Sequence, residues 1–255
     1  MPLPAWYCAA VDPASFATLY LARFDDLRSG GDPSPGPQPG LMFCAVAADT
    51  RAAGTDPASQ RAFIYLMLGL HENESSADRF LEDQLVRVPW MSEASELYGA
   101  VLQPYRHKGE ANYLNRTQPG QLFGRLAACP SPDAPFVSMT TSGWTVGDQL
   151  DMNRVREFST GVLAIRASMT AVPGLHSQQS FFFPGVLALD PLTVTFWRND
   201  AAIRAFSYGP GVHRHHLDRH RAENLADRTS FTRFQVLRSV GTWYGINPNS
   251  SDRRD

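Results

Sequence analysis

The sequence predicts an α+β fold of two tandem ferredoxin-like (βαββαβ) repeats. Three observations carry this expectation. Strand-like and helix-like segments follow the same order in both halves, a Pro-rich linker at Cys129–Pro135 separates them, and residues near the end of each half recur at one spacing. In the first half, the apolar run Ala5–Val11 reads as a buried strand, and Asp12-Pro13 opens a helical stretch through about Leu27. The Gly- and Pro-rich segment Ser29–Gly40 reads as a loop. Strands follow at Leu41–Ala47 and Ala62–Leu70. Over Asn73–Val88 the apolar residues Phe80, Leu81 and Leu85 have helical spacing, and Pro89 closes that helix before a strand at about Leu97–Tyr105.

The second half begins with a strand near Phe136–Thr141, then a helix near Met152–Ala171 stopped by Pro173-Gly174. Strands are expected near Ser180–Ala188 and Leu192–Trp197, and a helix over Asp200–Ser207 is interrupted at Gly209-Pro210-Gly211. Helix resumes from His213, and a strand at Phe231–Ser239 completes the order. Gln103, Arg106, Gly109 and Asn115 reappear 132 residues later as Gln235, Arg238, Gly241 and Asn247. The expected organisation is a repeat at 1–128, a linker at 129–135, and a second repeat at 136–255 that carries the site. Each βαββαβ unit leaves one sheet face apolar, so the two sheets are expected to face each other as a pseudo-dimeric α/β barrel. Its interior or flanks would offer apolar ligand space.

Composition narrows the function classes. A chain of 255 residues with 43% hydrophobic and 19% charged side chains can bury a full core. A net charge of −2 without a lysine-rich run gives no footprint for nucleic acid or an anionic membrane. Lys108 is the only lysine, so interest lies in local arginine clusters. Cys8, Cys44 and Cys129 are odd in number and lack CxxC spacing, which reads as buried or inert thiols in a reducing compartment. No window approaches the roughly 18 apolar residues of a spanning helix, and a soluble, cytoplasmic protein is expected.

Four of the seven histidines, His213, His215, His216 and His220, follow the Gly-Pro-Gly break. On a helix, positions 213, 216 and 220 share a face while His215 points away. Such a row can bind zinc, ligate a haem iron, or simply solvate a surface helix rich in Arg214, Asp218, Arg219, Arg221 and Glu223. Zinc lacks an HExxH pattern or a nearby cysteine. A Ser/His/Asp hydrolase lacks a GxSxG elbow, and no Gly-rich phosphate loop is present.

The stretch Leu192–Tyr208, then Gly211-Val212-His213, Arg233–Leu237 and Gly241–Gly245, resembles the spheroidene monooxygenase family of carotenoid ketolases. A fainter echo covers Phe136–Thr140 and Ala171–Leu175, whereas Gln178–Pro191, with its Phe181–Pro184 run, departs from the family. The resemblance implies a haem b iron enzyme, a monooxygenase, with a fold similar to aldoxime dehydratases, and carries the proximal ligand onto His213. It implies Arg233 as the first candidate for a donor facing the open iron position, against a propionate clamp or salt bridge as the structural alternative. The Thr140-Thr141-Ser142 strand end offers a hydroxyl, with Thr141 the catalytic candidate, although such a stretch also suits a turn. Trp197 and Phe206 are candidates for the cofactor wall, although aromatics at strand and helix spacing are more often plain core. A hydrophobic or secondary-metabolite substrate and an electron donor such as a ferredoxin are implied. Two other readings stand beside this one: a haem Lewis acid acting on an N–O substrate, and a cofactor-free ligand-binding protein.

Overall fold

The computed structural model describes residues 14–29, 38–49, 61–109, 123, 126–144, 150–182 and 191–248. Eight strands within them close into one antiparallel barrel. They are β1 (Phe16–Ser29), β2 (Leu41–Ala48), β3 (Arg61–His71), β4 (Glu96–Gly109), β5 (Phe136–Gly143), β6 (Leu175–Phe182), β7 (Pro191–Trp197) and β8 (Arg228–Gly241). Four helices lie outside the barrel: α1 (Glu74–Arg87), α2 (Met152–Ser168), α3 (Asp200–Tyr208) and α4 (Val212–Glu223). The strand order is β1-β3-β2-β6-β7-β5-β8-β4, so each half contributes four adjacent strands. A long β4·β8 ladder joins the halves on one side, and the single pair Ala48↔Phe182 joins them on the other.

The helix expected through Leu27 is instead strand β1, central between β3 and β4. Its Ala17, Leu19 and Leu21 face the barrel interior, while Tyr20, Ala22 and Phe24 pack outward. A strand buried on both faces has no polar alternation, and its continuous apolar run imitates a buried helix. The strand expected at Ala5–Val11 lies outside the described residues. The two sheets join edge to edge rather than face to face. The interior they enclose is filled by Leu19, Leu68, Tyr98, Met139, Phe196 and Phe234, so it is core and not ligand space.

The 132-residue echo lies on the β4·β8 ladder. Gln103 sits opposite Gln235, and the Gln235 amide donates to Gln103 Oε1 at 2.6 Å. Tyr98 pairs with Gly241 just as Ser230 pairs with Gly109, so a local two-fold passes through the glutamine pair. Gly109 and Gly241 both have positive φ, 90° and 74°. A Cβ on Gly109 would fall 1.9 Å from the Thr229 carbonyl oxygen, and one on Gly241 would fall 2.0 Å from that of Leu97. Glycine is therefore required twice, for one geometric reason.

On the first-half side, α1 lies directly on the sheet. Asn73 caps it by accepting from the Ser76 backbone, and Ala77, Phe80 and Leu81 pack on Tyr20, Met67 and Val101. The second half differs, because its three helices pack largely on one another. Trp144, Val155, Phe158, Leu225 and Ala226 form one cluster, and Phe136, Met169, Trp197 and Ile203 form another. Among the described residues no helix is long and apolar enough to cross a membrane.

The glycine geometry gives a direct test. Gly241→Ala should lower stability by about 2 kcal/mol or more, since strain and a backbone clash add. Gly245→Ala, at φ 75° with open space around it, should cost only about 1 kcal/mol. Urea unfolding midpoints of the two variants measure the difference.

Candidate functional site

Strand alternation decides what the second-half sheet shows to its helices. On β5, Val137 and Met139 point into the barrel, so Ser138, Thr140 and Ser142 point outward. Thr193 and Thr195 of β7 and Thr229 of β8 join them. These six hydroxyl side chains floor a cavity of about 250 Å³, roofed by α2, α3 and α4. Apolar roof residues include Phe158, Val162, Ile165, Ile203, Phe206 and Leu217.

α4 begins after the Gly-Pro-Gly break, as the sequence indicates, and ends at Asn224 in the left-handed conformation. Its outer face carries the i,i+4 ion pairs Arg214–Asp218 and Arg219–Glu223, with His215 exposed. Its inner face presents His213, His216 and His220 to the cavity. His213 Nδ1 lies 3.1 Å from the Ser207 carbonyl oxygen. Donation to that carbonyl places the proton on Nδ1 and leaves the Nε2 lone pair free, the arrangement metal-binding imidazoles use.

His216 fits because α2 has a glycine opposite it, since a Cβ on Gly161 would fall 1.9 Å from His216 Nδ1. Its ring also packs against Phe158, with centroids 5.1 Å apart. His216 Nε2 and His220 Nδ1 are buried without a hydrogen-bond partner, an uncommon state for native polar atoms. Burial lowers the pKa of all three histidines. For His216 it acts together with the neighbouring histidines and Arg219, bringing the value to about 4. All three imidazoles are therefore neutral near pH 7 and able to act as ligands. Among the described residues no group of three or more His, Cys, Asp or Glu side chains converges as a metal-ion site. One imidazole with a free Nε2 needs no such cluster to hold a haem iron, and His213 is the residue here that would do so.

Phe206 packs on His213 with centroids 5.2 Å apart and on Trp197 at 5.7 Å, so three rings run in a row along the cavity. The Trp197 indole donates to Thr195 Oγ1 at 2.8 Å. Arg233 reaches the cavity but is ion-paired with Asp200 in the first turn of α3, tying β8 to that helix. Thr141 must be corrected. It points into the barrel, where its Oγ1 lies 2.6 Å from Ser230 Oγ, and the hydroxyl facing the cavity belongs to Thr140. His71 is fully buried between Thr18 and Ser76, a structural role. Sequence reading missed Gly161 and the Thr193/Thr195 floor, although the hydroxyls at alternate positions of two strands were a visible signal.

A closed antiparallel barrel with a helix-roofed cavity on one flank defines the class. Two solved aldoxime dehydratases share the fold at a TM-score of 0.50. One is 11% identical and spans 88% of this chain and 82% of its own. The other, in complex with butyraldoxime, is 12% identical and spans 88% and 80%. By sequence, the chain is similar to spheroidene monooxygenase of Rhodobacter capsulatus, 23% identical over 192 residues, covering 74% of this chain and 73% of that protein. No family model matches the chain.

The depressed histidine pKa values set a pH dependence. Between about 4 and 6.5 the unfolded chain takes up a proton that folded His216 refuses, so stability falls as pH drops through that window. His216→Asn should reduce proton uptake on unfolding at pH 5 by about one proton and flatten the slope by about 1.4 kcal/mol per pH unit. Unfolding measured from pH 4 to pH 7 checks both.

Proposed function

We propose that this protein is a haem b monooxygenase acting on a hydrophobic or secondary-metabolite small molecule, with His213 as the proximal ligand. The observation that carries the reading is the His213 imidazole. It is neutral, held at Nδ1 by the Ser207 carbonyl, and set in a cavity between helices and a hydroxyl floor. Similarity to spheroidene monooxygenase supports the class of reaction. Haem, when bound, supplies the dioxygen chemistry in which one oxygen atom enters the substrate, the other leaves as water, and two electrons come from a donor such as a ferredoxin.

The chain's own residues divide the remaining work. Phe206 and Trp197 wall the ligand space and fix the His213 ring. The Ser207 carbonyl makes His213 a stronger donor ligand. Thr140 offers a hydroxyl from the opposite face, able to hold or pass a proton. Arg233 orders α3 through Asp200 and brings positive charge to the cavity edge. We also read residues 1–128 and 136–255 as ferredoxin-like repeats around the 129–135 linker. Both halves run in the strand order fourth, first, third, second, which supports that reading.

Protein expressed with added haem should show a Soret band. His213→Ala should remove it or lower haem affinity at least about tenfold, imidazole in the buffer should restore it, and His215→Ala should leave it unchanged. Dioxygen uptake that depends on a reduced donor separates the oxygenase from a Lewis-acid dehydratase, which consumes no net electrons. Colourless wild-type protein would sink the haem reading.

A further inference from the structure

The local two-fold through Gln103 and Gln235 allows the two helix-covered sheet faces to be compared position by position. On the first-half face, Arg238 of β8 reaches Asp78 at 2.9 Å and Glu82 at 3.2 Å, both on α1. Its counterpart on the second-half face is Arg106 of β4, which lines the cavity. A β-bulge at Tyr105 lets Arg106 and Lys108 face the cavity together, opposite Arg233 and Phe231. Where the second face carries Arg233 and Lys108, the first carries Val101 and Val240 at the same 132-residue offset. The second face therefore holds three cations in place of one.

Carboxylates do not follow them. Asp200 pairs with Arg233, and among the described residues neither Arg106 nor Lys108 has an acidic partner. Among those residues no Asp or Glu lines the cavity, although Arg166 and Arg221 do. Arginines directly opposite in an antiparallel pair repel, and Arg106 stands directly opposite Arg233. In a chain of net charge −2, this corner sets the exposed cations Arg106 and Lys108, which have no acidic partner among the described residues, beside the Asp200-paired Arg233 and an apolar roof.

We infer that Arg106 and Lys108 form an anion subsite that takes the carboxylate of a ligand whose apolar body lies under α2, α3 and α4, where Asp78 and Glu82 serve the equivalent arginine of the other face. It rests on the cavity as a ligand site and stands with or without iron. The carboxylate belongs either to a haem propionate or to the substrate, and in the second case the substrate is an amphiphilic acid, unlike a hydrocarbon carotenoid.

The test uses the full chain, the double variant Arg106→Gln/Lys108→Gln, and Arg156→Gln as an exposed-charge control on α2. Two fluorescent probes share a ring system: 8-anilinonaphthalene-1-sulfonate carries an anion and N-phenyl-1-naphthylamine does not. In protein without added haem, the double variant should bind the sulfonate about tenfold more weakly and the neutral probe as before, because a charge-assisted contact is lost and the apolar body is not. The control should change neither. Haemin and its dimethyl ester then identify the source. Selective weakening of haemin assigns the subsite to a propionate, while unchanged haemin binding with weakened sulfonate binding assigns it to the substrate. Failure of all forms to bind haem would sink the haem reading and leave the probe result standing. The inference is overturned if the wild type does not bind the sulfonate, if both probes weaken equally, or if neither the sulfonate nor haemin responds to the double substitution.

Discussion

A helix layer packs tightly on a sheet only where the sheet offers apolar surface, and the second-half sheet does not. Beyond Phe136 and Trp197 at one end, its outer positions on β5 and β7 are Ser138, Thr140, Ser142, Thr193 and Thr195, and burying such hydroxyls under aliphatic side chains without partners costs about 1–3 kcal/mol each. The helices α2 and α4 instead bury their apolar residues against each other around Trp144 and Phe158, and α3 anchors at the Trp197 end. The space left between roof and floor is the cavity. On the other flank, where the corresponding surface is Tyr20, Tyr65, Met67 and Val101, α1 sits directly on the sheet.

This division of labour places the chemistry. The barrel interior supplies rigidity through a filled core, and the strands hold the floor hydroxyls in fixed register. The roof supplies neutral imidazoles. His213 is fixed by the last turn of α3, and His216 is admitted by Gly161. The two walls are chemically unlike, with the α4 imidazoles above and a row of strand hydroxyls below. A planar ligand lying between them would have distinct faces, as asymmetric catalysis at a cofactor requires. The cation-rich edge at Arg106 and Lys108 would orient such a ligand in the plane.

Much of the second half was legible from local signals. Gly209-Pro210-Gly211 marks the α3–α4 break, and the 213/216/220 spacing identifies the cavity face of α4 because helical periodicity is a local property. The echo between Gln103 and Gln235 was legible as well, and it lies on a local two-fold. β1 was not legible, since burial on both faces erases strand alternation. The choice between Thr140 and Thr141 turned on one step of strand register, which flips every side chain to the other face. Gly161 and the pairing of Arg106 with Arg233 depend on contacts between distant segments, so no local pattern could display them.

The proposed haem site lies in the space between α4 and the β5·β7·β8 face, with His213 as the residue that would hold the iron. Anomalous diffraction at the iron edge from crystals of the haem-loaded protein measures this directly. A single iron peak is expected at bonding distance from His213 Nε2, between the α4 histidines and the Ser/Thr floor. An iron peak elsewhere, or one bonded to His216 or His220 instead, would contradict this assignment.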